Sequence, residues 1–200
     1  MKRLALVLGL AFGPHAGPAL AQVQGVMLDA PVPIPAFTLS DQAGKPFSTM
    51  DLADHWTLIM FGFNSCPDVC PFTLGNLEAA ISETALRVSP DSLPRVVFVS
   101  VDPARDSDTV TDYARFFPPE FRGVTGTLDQ IDALVAATDS FYRLLPPDAS
   151  GYYEVQHSSA VSVIGPDRQL RAKLQPPFDP GATAEFLARL QISYRRKSNQ

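Results

Sequence analysis

Residues 56–71 read W-T-L-I-M-F-G-F-N-S-C-P-D-V-C-P and contain both cysteines of the chain. The first eight residues, Trp56 to Phe63, form an almost continuous apolar run of strand length. Such a run is typical of a strand that is buried on both faces of a sheet. From Pro71 onward the apolar residues recur at helical spacing, and proline is tolerated in the first turn of a helix. The stretch therefore predicts a buried strand that leads through a short loop, with Cys66 and Cys70, into a helix.

Strand and helix patterns alternate along the rest of the chain. The sequence predicts a short hairpin over 37–48, a strand over 95–102, a helix over 108–117, a weak strand over 121–125, a helix that begins with a Thr127–Gln130 capping box, a hairpin formed by 152–164 and 169–174, and a final helix over 183–194. This order predicts an α/β fold with a mostly parallel central sheet, helices on both faces and an antiparallel hairpin at one edge. That arrangement fits a thioredoxin-like domain. Chemistry in open α/β sheets collects at the carboxyl ends of the strands, where the two cysteines lie.

The first 21 residues have the pattern of a secretory signal peptide. Lys2 and Arg3 precede an apolar run from Leu4 to Phe12, and Ala19-Leu20-Ala21 resembles a cleavage site. The apolar run spans nine residues, whereas a membrane-spanning helix needs roughly 20. An uncleaved membrane anchor is the alternative. Since no cysteine lies near the cleavage point, we do not expect a lipid anchor there.

Beyond the signal peptide we expect one domain. Residues 22–35 are predicted to be a proline-rich lead-in over the surface, 36–195 the thioredoxin-like domain and 196–200 a tail. Removal of residues 1–21 changes the formal net charge from −5 to −7, which argues against nucleic-acid binding. No later apolar run is long enough to cross a membrane, so membrane contact is expected only through an uncleaved N-terminus. Export to an oxidising compartment such as the periplasm would permit a disulfide.

A purely structural disulfide between Cys66 and Cys70 would add little stability. Chain entropy gives about 2 kcal/mol for so short a loop, against nearly 5 kcal/mol for a loop of a hundred residues. A chemical role has more support, because Cys70 is predicted to lie at the start of a helix, where free N–H groups stabilise a thiolate. Thiol–disulfide exchange and metal binding both remain open. Three residues separate the cysteines, whereas thioredoxin-type redox motifs have two.

A metal site would need a third ligand, and the chain has three histidines. His15 lies in the predicted signal peptide. His55 precedes the first long strand, where a surface or packing role is the more common one. His157 is predicted to lie in the late hairpin, and its position in the sequence alone does not mark it as a ligand.

Three segments of the chain together resemble the Sco/SenC family. They are F-G-F-N-S-C-P-D-V-C-P (61–71), V-S-V-D-P-A-R-D (99–106), and His157 followed by I-G-P-D (164–167). The resemblance extends from about Ile34 to about Leu190. Members of this family are thioredoxin-fold, copper-binding factors that assist the assembly of cytochrome oxidase.

The resemblance implies that Cys66, Cys70 and His157 are copper ligands. Asp102, Arg105 and Asp106 match an acidic element of the family, which could order the site or contact a partner. For Asp106, initiating the next helix is an equally good interpretation. The chain departs from the family in having Gln156, where an Asp commonly precedes the ligand histidine, and in Asn64-Ser65.

The ligand set implied by the resemblance suits copper in both oxidation states. Two thiolates favour Cu(I), and thiolates with an imidazole hold Cu(II); zinc is the main competitor. The resemblance implies cytochrome c oxidase subunit II as the partner, another copper carrier as a second partner, and delivery of copper or reduction of cysteines as the activity. The chain would then be an assembly factor rather than a metabolic enzyme. The alternatives are an exported thiol–disulfide oxidoreductase, with Cys66 and Cys70 as catalytic residues, and a copper sensor or buffer.

Overall fold

A six-stranded mixed sheet forms the centre of the structure, a computed structural model that describes residues 25–198. In spatial order its strands are β1 (Gly25–Pro33), β10 (Gln169–Leu174), β9 (Val161–Ile164), β4 (Thr57–Gly62), β5 (Arg95–Ser100) and β6 (Arg122–Val124). β4, β5 and β6 run parallel to one another, whereas β9, β10 and β1 pair antiparallel with their neighbours. The predicted signal peptide lies outside the described residues.

Helices cover both faces of this sheet. The other strands and α-helices are the hairpin strands β2 (Thr38–Ser40) and β3 (Pro46–Ser48), helices α1 (Val69–Ala85), α2 (Pro103–Asp106), α3 (Val110–Arg115), α4 (Leu128–Ala137) and α5 (Pro180–Ser198), and the strands β7 (Tyr142–Leu144) and β8 (Val155–His157). Helices α1, α3 and α5 contribute to the apolar cluster on one face. Helix α4 and the β2–β3 hairpin contribute to the cluster on the other.

Strand β4 is buried on both sides, as its apolar run predicts. Leu58 and Met60 belong to the cluster with α1 and α5, whereas Ile59 and Phe61 belong to the cluster with α4. All six residues of the strand are buried. Since each large apolar side chain contributes roughly 1.5–3 kcal/mol when buried, this strand fixes the position of the loop that follows it.

The lead-in is a strand, which differs from the prediction. Residues 25–33 form β1, which pairs with β10, so the β9–β10 hairpin does not lie at the edge of the sheet. Pro31 and Pro33 are compatible with this position because an edge strand tolerates residues that cannot donate a ladder hydrogen bond. The hairpin around residues 165–168 is confirmed. The prediction that residues 152–160 extend its first strand is wrong, since 155–157 form β8 and pair with β7 in a separate two-stranded sheet.

Two local predictions need correction. The helix predicted over 108–117 is shorter, and the additional one-turn helix α2 precedes it. Thr127 is the N-cap of α4 but makes no side-chain capping bond. The side chain of Gln130 instead accepts a hydrogen bond from the backbone N–H of Thr38, at 2.7 Å. Within residues 25–198, no helix combines the length and apolarity that spanning a membrane requires.

Candidate metal centre

The two cysteines lie where β4 passes into α1. Cys66 is half-buried in the connecting loop, and Cys70 is the second residue of α1 and fully buried. Cys70 fits there because the last residue of β4 has no side chain. A Cβ atom on Gly62 would lie 2.6 Å from the Cys70 sulfur and 2.7 Å from the ring of Phe98. A glycine in an otherwise bulky strand is the sequence signal of such a close approach, and Gly62 is a functional residue that this signal could have identified.

His157 is the last residue of β8 and directly faces Tyr142 of β7. Its Nδ1 atom lies 3.0 Å from the carbonyl oxygen of Ser158. Because a carbonyl only accepts hydrogen bonds, Nδ1 carries the proton, and Nε2 presents a lone pair. The imidazole and the ring of Phe63 pack edge to face, with centroids 5.8 Å apart. The ring is therefore oriented with its ligating nitrogen towards the cysteines, an arrangement typical of metal-binding histidines.

The three candidate donor atoms converge. The Nε2 atom of His157 lies 3.5 Å from the Cys70 sulfur and 4.0 Å from the Cys66 sulfur. All three donors lie within 4.8 Å of one another, and they are the one group of this kind among the described histidines, cysteines and carboxylates. Three donors around an ion at bond lengths of roughly 2.1 Å to nitrogen and 2.3 Å to sulfur would place nitrogen about 3.8 Å from each sulfur. The observed spacing fits such an ion without rearrangement of the backbone.

The charge of the pair resides on Cys66. The hydrogen bond from the Cys70 thiol, together with those from the backbone N–H groups of Cys70 and Asp68, lowers the pKa of Cys66 to about 4. The thiol of Cys70 donates to Cys66 and is buried, and both effects raise its pKa. The prediction that the helix start would make Cys70 the thiolate is therefore wrong. The free N–H of Cys70 points at the Cys66 sulfur, at 3.4 Å, so the helix start stabilises the other cysteine.

The site opens to solvent on the Cys66 side. A shallow cavity of about 470 Å³ is lined by Phe63, 66–69, Phe141 and 155–157. Gln156, the departure from the family pattern, is exposed at this cavity and contributes no charge there. A small molecule or a loop of another protein could reach Cys66 and His157 from this cavity, whereas Cys70 is shielded.

The acidic element after β5 contacts the loop that carries Cys66. Asp106 is buried, and burial raises the pKa of its carboxyl group. Its Oδ2 atom accepts hydrogen bonds from the backbone N–H of Asn64, at 2.8 Å, and from the hydroxyl of Ser100, at 2.6 Å. Asp106 thus holds the loop that carries Cys66. It does not initiate the next helix, because the N-cap of α3 is Thr109.

Asp102 and Arg105 form an ion pair next to this carboxylate. Asp102 is fully buried, so neither it nor Asp106 offers a surface to a partner. Arg105 lies over the ring of Tyr153, with 4.0 Å between the guanidinium carbon and the ring centroid. No sequence pattern indicates this role of Tyr153, since a tyrosine in a loop has no characteristic spacing. His55, by contrast, lies at the opposite end of β4 from the cysteines.

Comparison with known proteins agrees with this architecture. The sequence model of the SCO1/SenC family matches residues 28–191. The human mitochondrial SCO1 homolog is 32% identical over 164 residues, which cover 81% of this chain and 54% of the human protein. This chain therefore spans about half the length of that relative.

Two solved structures with copper bound are similar in fold. The Arabidopsis thaliana ScoI structure has a TM-score of 0.72 and 28% identity, covering 80% of this chain and 98% of its own. The yeast Sco1 structure has a TM-score of 0.73 and 26% identity, covering 85% and 96%. The fold and the Cys-Cys-His cluster thus define a thioredoxin-like protein with a candidate metal centre, and the predicted fold class is confirmed. The chain belongs to the SCO1/SenC family.

Proposed function

We propose that this chain is a copper-binding assembly factor for the copper centre of cytochrome c oxidase. The observation that carries the proposal is the convergence of Cys66, Cys70 and His157 at the spacing that one ion requires. Membership of the SCO1/SenC family and similarity to two copper-bound Sco structures support copper as the cargo. The family resemblance supplies the oxidase as the destination.

The donor set suits copper that changes oxidation state. Two thiolates bound to Cu(I) carry a net charge of −1, and the same pair bound to Cu(II) is neutral, so neither state accumulates a large charge in the half-buried site. Cys66 is already a thiolate at neutral pH. Metal binding at Cys70 would displace the proton that this thiol shares with Cys66. Zinc is the competing ion for a Cys₂His set.

Cytochrome c oxidase subunit II is the proposed partner, reached through the cavity beside Cys66 and His157. Another copper carrier could load the site from the same side. Ligands of either protein could displace those of this chain one at a time, since only Cys70 is shielded. Export to the periplasm, supported by the pattern of residues 1–21, would bring the chain to the side of the membrane where such a transfer is needed.

The asymmetry of the two thiols also favours a second candidate, a thiol–disulfide oxidoreductase. The accessible thiolate of Cys66 could attack a substrate disulfide and release one substrate thiolate, forming a mixed disulfide. Cys70 would then attack the Cys66 sulfur and release the second substrate thiol, so that the chain is oxidised to a disulfide and the substrate is reduced to a dithiol. Reduction of the cysteines of subunit II would be this reaction.

Copper titration of the reduced protein distinguishes the two candidates. We expect one copper per chain and a thiolate-to-Cu(II) charge-transfer band that is lost in His157→Ala. The matched control is His55→Ala, which changes a histidine at the far end of β4 and should bind copper as the wild type does. If His157→Ala keeps copper binding and loses disulfide reduction instead, the oxidoreductase proposal replaces the copper-binding one.

A further inference from the structure

His157 lies on an arm that needs external support. The His157 arm, residues 141–158, consists of β7, β8 and the loop between them, closed by the hydrogen bond from Leu145 N–H to the Glu154 carbonyl, at 2.9 Å. An isolated two-stranded hairpin is at best marginally stable in water. The position of the imidazole therefore depends on contacts that the arm makes with the rest of the domain.

The β8 side of the arm is held through Tyr153. Its hydroxyl donates a hydrogen bond to Asp102 Oδ1, at 2.7 Å. Arg105 covers its ring at 4.0 Å and donates from Nη1 to its backbone carbonyl, at 3.3 Å. Arg105 is itself fixed by its ion pair with Asp102. The Asp102–Arg105 ion pair thus contacts the hydroxyl, the ring and the backbone of Tyr153. The arm's other anchors are the hydrogen bond from Tyr142 to Asp132, at 2.7 Å, and the packing of Tyr142 and Val155 against the apolar cluster that contains α4.

The same short helix holds the cysteine side of the site. Asp102 is the N-cap of α2 and Arg105 lies within it, while Asp106, its last residue, binds the backbone N–H of Asn64 two residues before Cys66. Helix α2 therefore connects the loop that carries one candidate ligand to the arm that carries another.

We propose that Asp102, Arg105 and Tyr153 form a latch that positions His157 and thereby sets the preference of the site for Cu(II) over Cu(I). This inference rests on the proposed copper binding. With the latch closed, the imidazole faces the two sulfurs. With the latch open, the arm moves away and leaves a two-thiolate site, which is sufficient for the soft Cu(I) ion but lacks the nitrogen ligand that suits Cu(II). The three latch residues are positioning residues, since they act through His157.

The first test uses the metal-free, reduced protein and needs no copper. Tyr153→Leu removes the hydroxyl and the ring, Tyr153→Phe removes only the hydroxyl, and Tyr152→Leu is the matched control, because the side chain of Tyr152 is 59% exposed. We expect hydrogen exchange of the Leu145 amide to become at least about tenfold faster in Tyr153→Leu and by less in Tyr153→Phe, with exchange in β4 and β5 unchanged. Unchanged exchange at Leu145, or equal acceleration throughout the sheet, would overturn the latch.

The second test compares separate Cu(II) and Cu(I) titrations of the same variants. Loss of a residue that orients a ligand typically lowers metal affinity about 10- to 100-fold, and we expect this loss in Tyr153→Leu for Cu(II) only, with the Cu(I) affinity within about threefold of wild type. Equal losses for both ions would mean that Tyr153 only stabilises the fold. If His157→Ala also leaves both affinities unchanged, the proposed copper site is wrong. The hydrogen-exchange result on the metal-free protein still tests whether Tyr153 holds the arm, because it does not depend on copper.

Discussion

The Nε2 atom of His157 lies 3.5 Å from the sulfur of Cys70, although 87 residues separate the two in the chain. The cysteine is fixed by a buried strand and a helix, and the histidine by a two-stranded arm. Copper binding, as proposed here, requires both supports at once. A substitution that displaces either support should therefore weaken metal binding.

Gly62 sets the position of Cys70. In Gly62→Ala the new methyl group would meet the Cys70 sulfur and the Phe98 ring at less than 3 Å. We expect a loss of about 1–3 kcal/mol in the free energy of unfolding from overpacking, together with weaker copper binding. The control is Gly75→Ala in α1, where nothing lies within 4 Å of the added atom. Denaturant unfolding and copper titration measure both effects. Unaltered copper affinity in Gly62→Ala would show that the position of Cys70 is not critical.

The two thiols should differ in reactivity. Because the pKa of Cys66 is lowered to about 4, its thiolate is fully formed from about pH 5 upward, whereas an ordinary thiol ionises near pH 8.5. Iodoacetamide should therefore modify Cys66 of the reduced apo protein at a rate that is flat between about pH 5 and 8, and buried Cys70 should be protected. In urea both cysteines should react alike. A rate on the folded protein that rises through pH 8–9 would contradict this assignment.

The strand–loop–helix that carries the cysteines could be predicted because its signals are local. The apolar run of 56–63 and the helical spacing after Pro71 each describe a few consecutive residues, and burial of β4 follows directly. The charge of the pair could not be predicted in this way. It depends on how the loop folds back, so that the Cys66 sulfur lies over the N–H of Cys70, and the simple rule for helix starts favoured the wrong cysteine.

The position of His157 could not be derived from its neighbours in the sequence. Its strand was predicted to join the hairpin of the central sheet, and it forms a separate arm instead. Only the family resemblance indicated this residue. Tyr153 and the Ser158 carbonyl, which orient the arm and the imidazole, have no sequence pattern, since both roles arise from contacts between distant segments.

Gln156 should tune the preference between the two copper ions. It is exposed beside His157 at the cavity, so Gln156→Asp adds a negative charge close to the ion. A unit charge about 4–8 Å away in water contributes roughly 0.5–1 kcal/mol, or about two- to fivefold in affinity. We expect Cu(II) affinity to rise by about this factor and Cu(I) affinity by less, because Cu(II) carries twice the charge. Competition titrations at low and high salt measure the effect, which salt should reduce.

Gln156→Asn is the control for Gln156→Asp, since it shortens the side chain without adding a charge. An equal change of copper affinity in the two variants would show that the length of the side chain, and not its charge, causes the effect. If neither variant changes the copper affinities, the side chain at position 156 does not interact with the ion.

Asp106 should contribute clearly to the stability of the fold. Asp106→Ala leaves the Asn64 N–H and the Ser100 hydroxyl without their acceptor, which costs about 1–3 kcal/mol for each buried unsatisfied group. Urea unfolding should show a clear loss of stability. Asp106→Asn, which keeps an acceptor, should recover part of it, and Asp108→Ala at a nearby exposed position should change stability by less than about 0.5 kcal/mol. Equal stability of the Asp106→Ala and Asp108→Ala variants would refute this role.

The most direct test of the proposed centre is X-ray absorption at the copper edge of the loaded, reduced-thiol protein. We predict two sulfur neighbours at about 2.3 Å and one imidazole nitrogen at about 2.0–2.1 Å, by analogy with thiolate and imidazole distances in zinc sites. The imidazole signal should disappear in His157→Ala and persist in His55→Ala. A spectrum with a single sulfur neighbour, or an imidazole signal that survives in His157→Ala, would contradict the assignment of Cys66, Cys70 and His157 as one copper site.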